Sequence, residues 1–104
     1  MSEPMASYLR FVIASESDRD AFEEDLKEML ERAATMPGYR WAEMGRDIWD
    51  DRKHFVLSEW DSFDHMKAWE NHVEHGKVMD RWPDEKWGEP FTHRRYVPWK
   101  KPGA

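Results

Sequence analysis

Cysteine is absent from the 104 residues. Disulfides, thiolate nucleophiles and Cys-ligated zinc or iron–sulfur centres are therefore excluded. No apolar run approaches the ~18 residues that would cross a bilayer. The opening MSEPMAS has no basic region followed by an apolar stretch, so a signal peptide is not expected and the cytoplasm is the expected compartment. Positive charge is also short: 16 Lys and Arg face 22 Asp and Glu, for a net charge of −6. That balance argues against nucleic acid and anionic membranes, whose affinity comes from a basic face. The one basic cluster, Arg94, Arg95, Lys100 and Lys101, reads as a solvated terminal strand and tail.

What the chain does contain is a few large apolar groups in a charged background. Seven Trp and seven Met stand in a sequence that is 37% charged and 39% hydrophobic. The length suits one domain, which buries roughly 60–65% of its unfolded surface and so has a small core. Much of the aromatic surface would then be completed by a second subunit or a ligand.

Residues 1–7 read as a flexible leader, 8–99 as the domain and 100–104 as a tail. YLRFVIA (8–14) alternates and is rich in β-branched and aromatic residues, which predicts a strand. Ser15 or Ser17 caps the helix that follows, with Asp18 and Asp20 in its first turn. Phe22, Leu26, Met29, Leu30 and Ala33 recur at helical spacing, so 18–34 is an amphipathic helix. Met36-Pro37-Gly38 stops it in a tight turn. A second strand is expected over 39–49, with Gly45 as a bulge. A turn at 50–53 leads to a third strand over 54–60. Asp61 or Ser62 caps a second helix over 63–75, which Gly76 ends or kinks. Residues 77–90 are irregular or briefly helical, and 91–99 is a fourth strand.

The order β-α-β-β-α-β predicts an α+β, ferredoxin-like unit, with two helices on one side of a four-stranded antiparallel sheet. The other side is not cleanly polar. Phe11, Phe55, Leu57 and Val97 alternate with Val12, Val56 and Tyr96, so both faces carry apolar groups. A sheet apolar on both sides needs two covers. One is the helix pair, and the other is most simply a second copy of the chain.

Three pieces together resemble the antibiotic biosynthesis monooxygenase family of the dimeric α+β barrel superfamily. They are Pro37-Gly38-Tyr39 after helix one, Glu59-Trp60-Asp61-Ser62 at the end of strand three, and Trp69 with His72 on helix two. The resemblance covers about 8–99. It implies a homodimer in which each monomer holds a pocket between helices and sheet. The superfamily includes cofactor-free oxygenases of polyketide anthrones, quinol oxidases, haem-degrading monooxygenases and polyketide cyclases. The haem branch carries a His ten residues after the helix-two Trp and an Asn on strand one. Here those positions are Met79 and Arg10, so haem is not expected. The cyclase branch carries aromatic-x-x-His-x-x-His on helix two with the last His acting on substrate. Trp69 through His75 has that spacing and nominates His75.

The histidines of 65–82 admit three readings. Turning 100° per residue from His65 puts Met66, Trp69 and Val73 on the buried stripe. His72 and His75 then fall on one flank of it, which suits a pocket rim. A metal site is disfavoured: His72 and His75 could converge, but Glu74 points away, and HVEH matches neither zinc-protease pattern. Acid–base chemistry needs one imidazole in a semi-apolar pocket, neutral at pH 7. The third reading is a helix edge without chemistry.

The expected activity is a cofactor-independent monooxygenase acting on an aromatic or polyphenolic, polyketide- or quinol-type substrate. The alternatives are a cyclase-like acid–base enzyme and a non-catalytic ligand-binding dimer. In the leading reading His75 or His72 is the base, and Arg10 or Tyr8 stabilises a developing oxyanion. Trp60 and Trp69 flank the ring beside His65. As core groups, Trp60 and Trp69 would instead be packing, and Arg10 would pair with a carboxylate such as Glu59. No metal and no cofactor is expected; the expected partners are a second copy and a small aromatic ligand.

Overall fold

The computed structural model describes residues 3–97. Trp99, the expected domain end at 99 and the 100–104 tail lie outside the described residues. The elements are β1 (Met5–Val12), α1 (Arg19–Ala33), β2 (Tyr39–Arg46), β3 (Lys53–Trp60), α2 (Phe63–Glu70), α3 (Val73–Met79) and β4 (Thr92–Tyr96). The strands form one antiparallel sheet in the order β2-β3-β1-β4. This is the ferredoxin-like α+β arrangement that the element order predicts. No helix among the described residues is long and apolar enough to cross a membrane.

Each boundary has a local cause. Ser15 Oγ accepts from the Ser17 N–H and opens a short 3₁₀ turn at Glu16–Asp18 that leads into α1. The helix buries Phe22, Leu26 and Ala33 on one stripe. The chain reverses at Gly38, whose φ is +82°. A Cβ there would also lie 2.3 Å from the His65 ring, so the turn requires glycine twice over. Ser62 caps α2: its Oγ accepts from the His65 N–H at 3.2 Å and meets His65 Nδ1 at 2.7 Å.

Four expectations need correction. Strand β1 begins at Met5, and Met5 is buried, so the last three residues of the expected leader are sheet. The bulge lies between Tyr39 and Trp41 rather than at Gly45. Gly45 is glycine because the Phe55 ring lies across it, 2.3 Å from where a Cβ would stand. Ile48 and Trp49, expected to end the second strand, are in the hairpin and almost fully exposed. The second helix breaks at Asn71-His72, well before Gly76, which sits inside α3. His72 takes an extended conformation and its Nδ1 accepts from the Glu74 N–H at 3.1 Å, capping α3. A single helical wheel therefore does not run through 72–75, and Val73 is exposed rather than buried.

The register assigns the faces. Met5, Ser7, Leu9 and Phe11 of β1 pair with Trp60, Ser58, Val56 and His54 of β3. These rungs face the helices and carry most of the buried residues of both strands; Val12, on the other face, is buried as well, beside Gly88. Phe11 thus shares a face with Val56, while Val12, Phe55, Leu57 and Tyr96 lie on the other side; the sequence grouping had set Phe11 with Phe55 and Leu57, and Val12 and Tyr96 with Val56. The core under the helices is in two clusters. One holds Phe11, Ile13, Phe22, Leu26, Val56 and Trp82, and the other Met5, Ala33, Trp60, Met66 and Trp69. Met29 packs against both.

Candidate functional site

A pocket opens between the helices and the sheet, where the two core clusters part. Its outer part is about 240 Å³, walled by Leu9, Phe11, Met29, Met79 and Phe91. The polar groups on its rim are Glu70, Asn71, His75 and His93. An inner recess of about 40 Å³ shares Leu9, Phe11, Met29, Glu70 and His75 with the outer part and reaches Ser7, Ser58, Trp60 and Trp69.

His75 stands in the first turn of α3, its ring edge-on to Trp69 at 5.2 Å between centroids. The chain break at His72 aims it: α3 starts afresh and turns His75 toward the sheet. Burial pushes its pKa below the ordinary histidine value, with Glu70 opposing and His93 adding to the shift. His93 comes from β4, on the helix side opposite Leu9. Its Nε2 lies 3.8 Å from Glu70 Oε2. Partial burial and then Arg95 lower its pKa as well. Glu70 is held in place by Arg95, whose Nη2 donates at 3.0 and 3.3 Å, and by Lys67 at 3.5 Å. The arrangement is an apolar slot with a neutral imidazole at one end and an anchored carboxylate beside it. Such a slot can hold a flat apolar molecule and take a proton from its polar edge.

The expected site residues do not all gather here. His75, Trp60 and Trp69 line the pocket. Trp60 and Trp69 are only 1% and 8% exposed, members of one packed cluster, so they form a wall and present no open face for stacking. His72 is occupied as the α3 cap and stacks on Trp69 at 6.1 Å. His65 is tied to Ser62 beneath the Gly38 turn. Arg10 and Tyr8 lie on the opposite face of the sheet, because β-strand side chains alternate. Tyr8 stacks with Phe55 at 6.4 Å, and Arg10 reaches Glu89 at 3.7 Å rather than Glu59. Neither touches the pocket that His75 lines. Met79 is at its mouth. Among the described residues no three His, Asp or Glu side chains converge as a metal site requires.

Five polar groups of the pocket were not expected there from the sequence: Glu70, Asn71, His93, Ser7 and Ser58. Ser7 preceded the expected start of strand one. His93 and Arg95 alternate with Thr92 and Arg94, but only the pairing of β4 with β1 tells which pair faces inward.

Residues 7–81 match the family described as antibiotic biosynthesis monooxygenase. No curated protein matches the chain in sequence. Solved structures match over nearly the whole length. A candidate antibiotic biosynthesis monooxygenase from Nitrosomonas europaea superposes with a TM-score of 0.84 at 12% identity, covering 94% of this chain and 92% of that one. SnoaB, a cofactor-independent oxygenase from Streptomyces nogalater, gives 0.81 at 12% identity, covering 98% and 99%. Rv0793 from Mycobacterium tuberculosis gives 0.81 at 15% identity, covering 96% and 99%. At these identities the likeness is one of fold.

Proposed function

This chain belongs to the antibiotic biosynthesis monooxygenase family, and from that membership and the pocket we propose that it is a cofactor-independent monooxygenase of hydroxylated aromatic substrates. The observation that carries the reading is His75, an imidazole held below its ordinary pKa at the polar end of an apolar slot. A base of this kind is neutral at pH 7 and ready to accept a proton.

The chemistry follows from the substrate's own electrons. An electron-rich phenol or anthrone lies in the slot against Leu9, Met29 and Phe91, with its acidic edge toward His75. Nε2 or Nδ1 of His75 takes the proton, and the resulting anion reduces dioxygen directly. For an anthrone, a ring methylene and O₂ become a ring carbonyl and water. The methylene carbon supplies four electrons, one oxygen atom stays on the ring, and no external reductant enters. His75 returns its proton to the departing oxygen. SnoaB, described as a cofactor-independent oxygenase, has the same fold and is in keeping with this chemistry.

We extend the proposal to a homodimer built across the open face of the sheet. Tyr8, Phe55, Leu57 and Tyr96 lie there on neighbouring strands, and no helix among the described residues covers them. That face is on the far side from the pocket, so pairing would leave the pocket mouth free.

Oxygen consumption with a panel of anthrones and hydroxynaphthalenes tests the activity. Uptake by the wild type, lost in His75→Gln, is the expected result. Absence of uptake with every member of the panel would refute a monooxygenase of this class.

A further inference from the structure

The covered face of the sheet carries a polar rung where packing calls for apolar side chains. Ser7 on β1 and Ser58 on β3 are direct partners in the register. The rung on one side is Met5 with Trp60, and the rung on the other is Leu9 with Val56. Each of those neighbouring rungs contributes to a core cluster, and the serine rung separates them. Larger apolar groups at 7 and 58 would join the clusters and fill the recess. The fold forgoes that packing.

The hydroxyls are not used up by the protein. Ser58 Oγ accepts from Trp60 Nε1 at 3.1 Å, which leaves its own proton free to donate. Ser7 is 3% exposed and lines the recess. Its hydroxyl makes no side-chain hydrogen bond among the described residues. A hydroxyl that opens on a cavity can pair there with a ligand atom or a water. The recess of about 40 Å³ has room for one oxygen substituent or one to three waters, at about 10–15 Å³ each, and none for a ring.

We infer that Ser7 and Ser58 form an inner oxygen-binding subsite that selects aromatic substrates bearing a second oxygen on the edge opposite the one His75 deprotonates. The inference rests on the hydroxyarene reading and narrows it. The recess that the serines line shares Leu9, Phe11, Met29, Glu70 and His75 with the outer slot, so one ligand can reach both. The ring sits in the outer slot and its far oxygen enters the recess. Two hydroxyl protons there favour a carbonyl or a developing oxyanion. The serines thus stand where Arg10 and Tyr8 were expected to act.

Two probes separate the possibilities: 1,4-dihydroxynaphthalene and 1-naphthol, titrated under argon against tryptophan fluorescence. The wild type is expected to bind the dihydroxy compound about tenfold more tightly, as one well-formed hydrogen bond allows. Ser7→Ala is expected to erase that preference while leaving 1-naphthol affinity and the melting temperature unchanged; Ser58→Ala is expected to erase it too, with a lower melt because Trp60 Nε1 loses its acceptor. A purely structural role for Ser7 would weaken both probes alike and lower the melt. Equal binding of the two probes by the wild type would overturn the subsite and leave the hydroxyarene reading standing. So would a preference that survives in both variants, since the recess would then hold only water. Failure of both probes to bind would overturn the subsite together with the reading it rests on.

Discussion

Across β1 and β3 the covered face runs Met5–Trp60, Ser7–Ser58, Leu9–Val56 and Phe11–His54, while the open face runs Ala6–Glu59, Tyr8–Leu57, Arg10–Phe55 and Val12–Lys53. The covered face is apolar except at a few positions, and those positions border the pocket or are tied to α1, as His54 is to Glu23 at 2.8 Å. The open face mixes polar and apolar groups on nearly every rung. Burying a polar group without a partner costs free energy, so polar groups survive in a core where they are paired or used. A face that must be soluble before a partner arrives has no such filter, and its ion pairs are half in water. Polar residues under the helices are therefore the ones to read for chemistry, and apolar residues on the open side the ones to read for assembly.

The largest effect is expected on the covered side, at His75. His75→Ala should lower oxygen uptake by about 10²–10⁴, the usual contribution of a general base, with the melting temperature little changed. The pH profile sharpens this. The His75 pKa lies below the ordinary value of 6.5, so the acid limb of the rate should fall below pH 6.5. Glu70 faces the ring and raises its pKa, whereas His93 lowers it. Substituting His93 with Gln removes the lowering charge, and the limb should move up. Stability shares the sign: folding depresses the pKa values of His75 and His93, so the folded form binds fewer protons. Stability held at neutral pH is lost as pH falls below 6.5 through the folded values. A limb at or above 6.5 in the wild type would mean that His75 is not the base.

Trp60 comes next. It is 1% exposed, edge-on to Tyr39 at 5.6 Å and bonded through Nε1 to Ser58. Trp60→Ala should cost about 3–5 kcal/mol in chemical denaturation. A loss under about 1 kcal/mol would show that the cluster around Met5 and Met66 is not a true core, and the contrast between faces would fail on its stronger side.

The fold was legible in the sequence because its signals are local. Alternation marks the strands, the Phe22–Leu26–Ala33 stripe marks α1, and Pro37-Gly38 and Ser62 mark the turns into β2 and α2. The candidate site was legible only in part. His75 does line the pocket, although the wheel that pointed to it continued through a break that His72 creates. No periodicity shows that an imidazole will cap a helix with its Nδ1. Arg10 and Tyr8 were placed by their strand without its face, and a one-residue parity error moves a side chain through the sheet. The grouping of Phe11 with Phe55 contains that error. His93 and the serine rung depend on which strands pair and in what register, which is a long-range property.

The open side gives a moderate effect, confined to assembly. Leu57→Asp puts a charge among Tyr8, Phe55 and Tyr96. If two sheets meet there, burying more than roughly 1,200 Å² in total, the variant should sediment as a monomer where the wild type is a dimer. The monomer should keep its helix-side pocket and its 1-naphthol affinity. A wild type that is monomeric at micromolar concentration would remove the partner from this face.

Arg10 should show the smallest effect of all. The sequence offered it as the partner of Glu59 or as an oxyanion clamp. It lies instead on the open face, 3.7 Å from Glu89, with side chains 34% and 53% exposed. Water screens a pair of this kind, and such pairs contribute about 0–1 kcal/mol. Arg10→Ala should therefore leave the melting temperature nearly unchanged and oxygen uptake within about twofold of wild type, the scatter expected when a weak surface pair is lost. Glu89→Gln should behave alike, since it breaks the same pair from the other side. The comparison of the two faces is most exposed here. A fall of tenfold or more in uptake by the Arg10 variant, with the melt intact, would mean that a residue on the far side of the sheet acts on the substrate. The pocket beneath the helices would then not be where the reaction takes place.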